Sequence, residues 1–353
     1  MQVFNLKKLR GVNSEQKFVA DAIYTGVGSC HNIVINPDKG VAYLVGCRSK
    51  NGGGPIFVDI SDPKNPVSLG DYTAEGYSHD AQVVTYKGPD TTYQGKEIYI
   101  GSNESDIVIL DVTDKNNVVH IATINYAQAA YTHQGWFTED HRYFILGDEL
   151  DEYRYGMNTR TLIFDLQDLD NPVLSSTYFG KSKAIDHNGY VKGNEFFLSS
   201  YTAGMRVFDI SNISSADKPM VETGFFDTRP RNNRTSFKGV WSVYPYFSSG
   251  NIVISDINRG MFIVKKQNTK RSNSSNLTED LVKIYPNPTN SIVSVSLSKS
   301  KINTITISNI FGSELRSFKN IDSEVFEIDT YNFSKGVYLM KINNSTVKKL
   351  IIN

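Results

Sequence analysis

The sequence predicts an all-β protein, a β-propeller followed by a small β-sandwich, and three observations carry that prediction. One phrase recurs: an apolar run, an aspartate, a short polar turn and a second β-prone run. Its copies are IFVDISDPKNPVSLGDY from Ile56, IVILDVTDKNNVVHIATI from Ile107, TLIFDLQDLDNPVLSSTY from Thr161 and MRVFDISNISSADKPMVETGFF from Met205. A second phrase precedes each of these four copies and recurs once more, starting at His31, His79, His133, His187 and Trp241, with spacings of 48, 54, 54 and 54. After Lys266 the texture changes to a Ser/Asn-rich polar stretch and then to short alternating β runs.

Each unit therefore holds four short strands, A to D, at a period near 50 residues, the signature of a propeller blade. No window sustains the 3.6-residue period of helices. The aspartates Asp59, Asp111, Asp165 and Asp209 close strand C in each copy. Shorter copies, MQVFNL from Met1 and MFIVKK from Met261, occupy only strand C of their units. Four complete blades and two partial ones are expected. Because Met1 falls in mid-strand, the reading also expects an upstream extension of more than one blade, headed by a signal peptide.

Composition excludes some partners. Lys+Arg and Asp+Glu are both 37, for a formal net charge of zero. Such a chain has no global field to draw in nucleic acid or an anionic membrane. No apolar run approaches the roughly 20 residues of a membrane-spanning helix. The 39% hydrophobic and 21% charged content suits a folded chain. With 20 Tyr and 19 Phe it leans toward strands.

The repeat region resembles the LVIVD-repeat proteins and, more closely, the choice-of-anchor B family. The matching stretches are GSCHNIVI, SHDAQVVTYKGPD, THQGWFTEDHRYFILGDELDE, AIDHNGYV and FKGVWSVYPYFSSGNIVISDINRGMF. That resemblance implies an extracellular propeller of seven blades, of which five to six are present in residues 1–266. Residues 267–280 read as a linker, and 281–353 as a β-sandwich. The last segment resembles the type A sorting domain of type IX secretion. Its matching residues are Tyr285, Pro286, Asn287 and Pro288, then Gly336 and Tyr338, then Lys348 and Lys349. The resemblance implies export, handling by the type IX machinery, and an extracellular or cell-surface location.

Familiar catalytic signatures are absent: no G-x-S-x-G, no H-E-x-x-H, no P-loop and no dinucleotide fingerprint. What remains is positional. His31, His79, His133 and His187 share one repeat position, the start of innermost strand A. In a propeller those starts surround one mouth of the central channel, together with Asp80, Gln134, Asp186, Asn188 and Trp241. The B–C loops open on the same face, and one carries Asp148, Glu149, Asp151 and Glu152. Two roles stand open for the histidines: tying blade to blade by hydrogen bonds, or binding a ligand or metal. The metal candidates are His79, His133, His187, Asp148, Glu149, Asp151 and Glu152, for a divalent cation such as Ca²⁺ or Zn²⁺. The acidic run otherwise reads as a solvated loop. Function is expected on this face, either as recognition of an extracellular ligand, glycan or protein, or as metal-dependent hydrolysis or elimination. The non-enzymatic reading is favoured.

The two cysteines, Cys30 and Cys47, flank a hairpin turning at Pro37–Gly40. If Pro37 opposes Gly40, opposed residue numbers sum to 77, as Cys30 and Cys47 do. A cross-strand disulfide is then expected, in an oxidising compartment that lets it persist. Two buried thiols, or a bulged register, is the alternative.

Overall fold

Strand propensity and blade periodicity become sheets in the computed structural model, which describes residues 1–266, 282–298, 300–310, 312–343 and 346–353. The expected linker, 267–280, lies outside the described residues. The chain divides into two compact units, Met1–Gln267 and Asn268–Asn353.

In the first unit a short pair, β1 (Gln2–Val3) and β2 (Ala22–Ile23), precedes five blades. Blade I is β3 (Asn32–Asn36), β4 (Val41–Val45), β5 (Ile56–Asp59) and β6 (Val67–Asp71). Blade II is β7 (Asp80–Thr85), β8 (Glu97–Ser102), β9 (Ile107–Asp111) and β10 (Val119–Ile124). Blade III is β11 (Thr132–Phe137), β12 (Tyr143–Asp148), β13 (Arg160–Asp165) and β14 (Val173–Phe179), with a one-turn helix α1 (Asp151–Tyr155) between its second and third strands. Blade IV is β15 (Gly189–Lys192), β16 (Glu195–Ser200), β17 (Gly204–Asp209) and β18 (Val221–Phe226). Blade V has three strands, β19 (Val240–Tyr244), β20 (Asn251–Asp256) and β21 (Gly260–Lys265). Every blade is an antiparallel meander, and the first strands of consecutive blades pack side by side about one axis.

Hydrophobic patterning explains this packing. The second strands of blades I–III are buried along their whole length, as apolar runs such as VAYLV and YFILGD require. The outermost strand of blade IV alternates exposed and half-buried residues, because one face meets solvent. The core lies between blades. Tyr43 and Phe57 of blade I meet Tyr99 and Leu110 of blade II. Ile98 and Ile107 of blade II meet Phe144 and Phe164 of blade III. Tyr143 and Ile163 then meet Phe196 and Phe208 of blade IV. Each such side chain contributes about 1.5–3 kcal/mol on burial, so blade–blade contact holds the unit together.

The repeated aspartate is a turn device. Asp59, Asp111, Asp165 and Asp209 each accept the backbone N–H two residues on, at 2.8, 3.0, 3.0 and 2.9 Å. These Asx turns close strand C and start the C–D connection.

The second unit is a two-sheet β-sandwich. One sheet runs β22 (Lys283–Tyr285), β23 (Ile292–Ser296), β26 (Val325–Asp329); the other runs β25 (Glu314–Ser323), β24 (Ile302–Asn309), β27 (Gly336–Ile342), β28 (Thr346–Ile352). Val293, Ile305, Ile307, Met340 and Leu350 fill the space between them. Asn287 holds the motif to the last strand: its Nδ2 donates to the Lys349 carbonyl at 2.7 Å, and its Oδ1 accepts from Ile351 N at 2.8 Å. Tyr338 donates to the Ser334 carbonyl, and Gly336 pairs with Ile352. No helix among the described residues is long and apolar enough to cross a membrane.

Candidate functional site

The residues that begin strand A converge because of a local irregularity. In blades III and V the first strand slips register across one residue, between Thr132 and Gln134 and between Val240 and Ser242. The bulged residues are His133 and Trp241. A bulge re-aims the extra side chain, here toward the neighbours around the axis. The result is a continuous arc of rings: His31 to His79 at 3.9 Å between centroids, His79 to His133 at 4.6 Å, His133 to His187 at 4.3 Å and His187 to Trp241 at 4.6 Å. His31 is exposed at one end of the arc, and Trp241 is 44% exposed at the other.

The two nitrogens of each inner imidazole do different work. His79 Nδ1 lies 3.2 Å from the His133 carbonyl oxygen, and His187 Nδ1 lies 2.7 Å from that of Trp241. His133 Nδ1 is directed at the His187 backbone without completing a hydrogen bond. A carbonyl only accepts, so in His79 and His187 Nδ1 carries the proton and Nε2 is left with its lone pair. The blade-tying role and a ligand role can therefore coexist on one side chain.

The Nε2 atoms of His133 and His187 meet Glu149. His133 Nε2 is 3.8 Å from Glu149 Oε2, and His187 Nε2 is 3.8 Å from Glu149 Oε1. Glu149 follows β12; its N–H donates to the Tyr131 carbonyl at 3.1 Å, and its Oε1 accepts the Tyr201 hydroxyl proton at 2.6 Å. Tyr201 lies in the B–C loop of blade IV, whose backbone bridges to Val240 at the start of blade V. Gly239 permits that approach: at φ +112°, a β-carbon there would sit 2.2 Å from the Tyr201 carbonyl oxygen. Burial lowers His133 well below the ordinary imidazole range and takes His79 and His187 down to about 4. Burial raises the Glu149 carboxyl, opposed by the Tyr201 hydrogen bond.

The other acidic candidates are not loop residues in solvent, which corrects the solvated-loop expectation. Asp148 is buried and accepts from Tyr126 Oη at 2.9 Å, Ala130 N at 2.8 Å and Tyr131 N at 2.8 Å. Asp151 Oδ2 accepts from Arg160 Nε at 2.6 Å, and the same guanidinium caps the Ala127 and Gln128 carbonyls at 3.1 and 2.9 Å. Asp186 is 0% exposed and Glu152 2%, and among the described residues none of their four carboxyl oxygens meets a hydrogen-bond donor. Burial first, then the neighbouring acids, raises both groups strongly. Arg160, which the sequence does not single out, pairs with Asp151 at 2.6 Å and faces Asp148 at 3.6 Å. Its place one residue before the repeated strand C phrase is the signal that could have marked it.

Farther along the same first strands, Asn32, Asp80, Gln134 and Asn188 occupy the next position. Asn32 Nδ2 donates to Asp80 Oδ2 at 2.6 Å, and Gln134 bonds both polar groups of Gly189, at 3.1 and 2.8 Å. With Gln82, Trp136 and Tyr190, the first three line a cleft of about 500 Å³. Cys30 and Cys47 are joined, S–S 2.03 Å, at the base of the His31 hairpin, whose opposed residues, such as Asn32 and Val45, sum to 77.

Fold and tail together define a secreted or cell-surface β-propeller with a type IX sorting domain. Residues 283–353 match the secretion system C-terminal sorting domain family. No curated protein matches the chain. Among solved structures, a protein from Lactobacillus plantarum is similar at 12% identity and TM-score 0.51, over 88% of this chain and 91% of that one. The periplasmic gluconolactonase PpgL of Pseudomonas aeruginosa matches at 11% identity and TM-score 0.48, over 84% and 87%. PorZ, a surface component of the type IX secretion system of Porphyromonas gingivalis, matches at 12% identity and TM-score 0.45, over 94% of this chain and 46% of that one. At such identities the first likeness speaks to the fold alone.

Proposed function

We propose that this protein is a non-enzymatic recognition module, delivered to the cell surface or released, that binds an extracellular ligand at the histidine-bearing mouth of its propeller. The observation that carries the reading is the unbroken arc from His31 to Trp241, which gathers the start of every blade's first strand at one end of the axis. Function on rigid scaffolds concentrates where several elements converge on an open face. The resemblance of the repeats to the choice-of-anchor B and LVIVD proteins supports an extracellular setting, and the sorting domain supplies the route.

Two measurements test this. Soluble saccharides and peptides are titrated into the purified chain. A ligand whose binding is lost in Trp241→Ala and kept in His120→Ala is expected; ligands indifferent to Trp241 would contradict the reading. Separately, residues 283–353 fused behind a signal peptide and a reporter should carry it outside a type IX-competent cell. Asn287→Ala should reduce that delivery, because it removes both bonds to the last strand. A reporter retained in the periplasm would refute the export route.

A further inference from the structure

We propose that His133, Glu149 and His187 bind a divalent transition-metal ion, with Zn²⁺ the natural fit. The proposal deepens the recognition reading, on which its biological use rests, by naming what the mouth holds.

Three donors come from three places: a bulged strand start, the residue that follows β12, and the start of blade IV. Their ligand atoms all lie within 4.8 Å of one another. The 3.8 Å from each Nε2 to a Glu149 oxygen is too long for a hydrogen bond. It is short enough for both atoms to share one ion, with bonds near 2.0–2.2 Å. At His187, the Nδ1 bond to the Trp241 carbonyl leaves Nε2 as a lone pair facing a carboxylate. Two acceptors turned toward each other repel unless a cation lies between them. The carbonyl-bound Nδ1 is also the outer-sphere arrangement typical of a metal-ligating histidine, and the Tyr201 hydroxyl supports the carboxylate in the same way.

Donor chemistry selects the metal. Two imidazoles and one carboxylate suit Zn²⁺ and its transition-metal neighbours; Ca²⁺ and Mg²⁺ prefer all-oxygen shells. Three protein ligands leave at least one coordination position for water or an incoming ligand. Of the other candidates, Asp148 is saturated by N–H and O–H donors, Asp151 is paired with Arg160, and His79 lies one ring away. Glu152 belongs to the neighbouring acid cluster.

The test uses the whole chain, stripped of metal and titrated with Co²⁺ as the optical probe, then with Zn²⁺. One equivalent of Co²⁺ giving the visible bands of a low-coordinate site, displaced by Zn²⁺, is expected. His133→Ala and His187→Ala should weaken binding about 100-fold or more, and Glu149→Gln about tenfold or more, while His120→Ala changes nothing. If either alanine variant fails to fold, Glu149→Gln carries the comparison, because it keeps the side-chain shape. Absence of a stoichiometric Co²⁺ complex, or binding unaltered in Glu149→Gln, overturns the proposal. The two readings fail separately. A Trp241-dependent ligand that still binds in EDTA, with no Co²⁺ site, sinks the metal and spares recognition. A normal Co²⁺ site with no Trp241-dependent ligand does the reverse.

Discussion

His187 and Trp241 are joined twice across the boundary between blades IV and V: Nδ1 donates to the Trp241 carbonyl at 2.7 Å, and the two rings lie 4.6 Å apart between centroids. The same contact recurs between His79 and His133, at 3.2 Å and 4.6 Å. Residues 54 apart in sequence are thus tied side by side along the same arc.

The first prediction follows from that tie. His187→Ala leaves a part-buried carbonyl without its donor and removes the packing of a buried ring, so urea unfolding should show a loss of about 2 kcal/mol. His31, exposed at the end of the arc, should tolerate Ala within about 0.5 kcal/mol. Equal losses at both positions would contradict the tie.

A second prediction concerns pH. Burial lowers His79 and His187 to about 4 from 6.5. Between those values the unfolded chain binds more protons, so stability is lost as the pH falls through that window. Asp80 runs the other way. Burial raises it to about 7 from 3.8, the folded state binds more protons in between, and stability is lost as the pH rises. Asp186 and Glu152 act in the same direction as Asp80. Asp80→Asn should therefore gain on the parent between pH 4 and 7, by up to about 1.4 kcal/mol per pH unit. Unfolding free energies measured at pH 5 and pH 8 check this; a constant difference would show that Asp80 does not titrate there.

The third prediction concerns Cys30 and Cys47. Thiol counting on the denatured, unreduced protein should find no free thiol. Reduction should destabilise blade I by at most about 3 kcal/mol, as befits a short loop, here a sequence separation of 17. Two free thiols would refute the link.

Much of the fold could be read from the chain because its cues are local and repeated. The Asp that ends each strand C makes its own turn, so it recurs wherever the turn does. The hairpin at Pro37–Gly40 sets its own register. The mouth was legible only in outline. The histidines announce themselves by spacing, but the bulges at His133 and Trp241 that turn them together depend on pairing with the next strand. Nothing near Glu149 in sequence says that it, rather than Asp148 or Glu152, meets the imidazoles. That selection is made by Tyr201, 52 residues away, and by Arg160, which neutralises Asp151.

Anomalous diffraction at the zinc edge, from crystals of the whole chain grown with one equivalent of Zn²⁺, tests the functional mouth most directly. The account predicts a single strong peak about 2.0–2.1 Å from Nε2 of both His133 and His187 and bonded to Glu149. No peak at that position, or zinc bound only elsewhere on the chain, would contradict it.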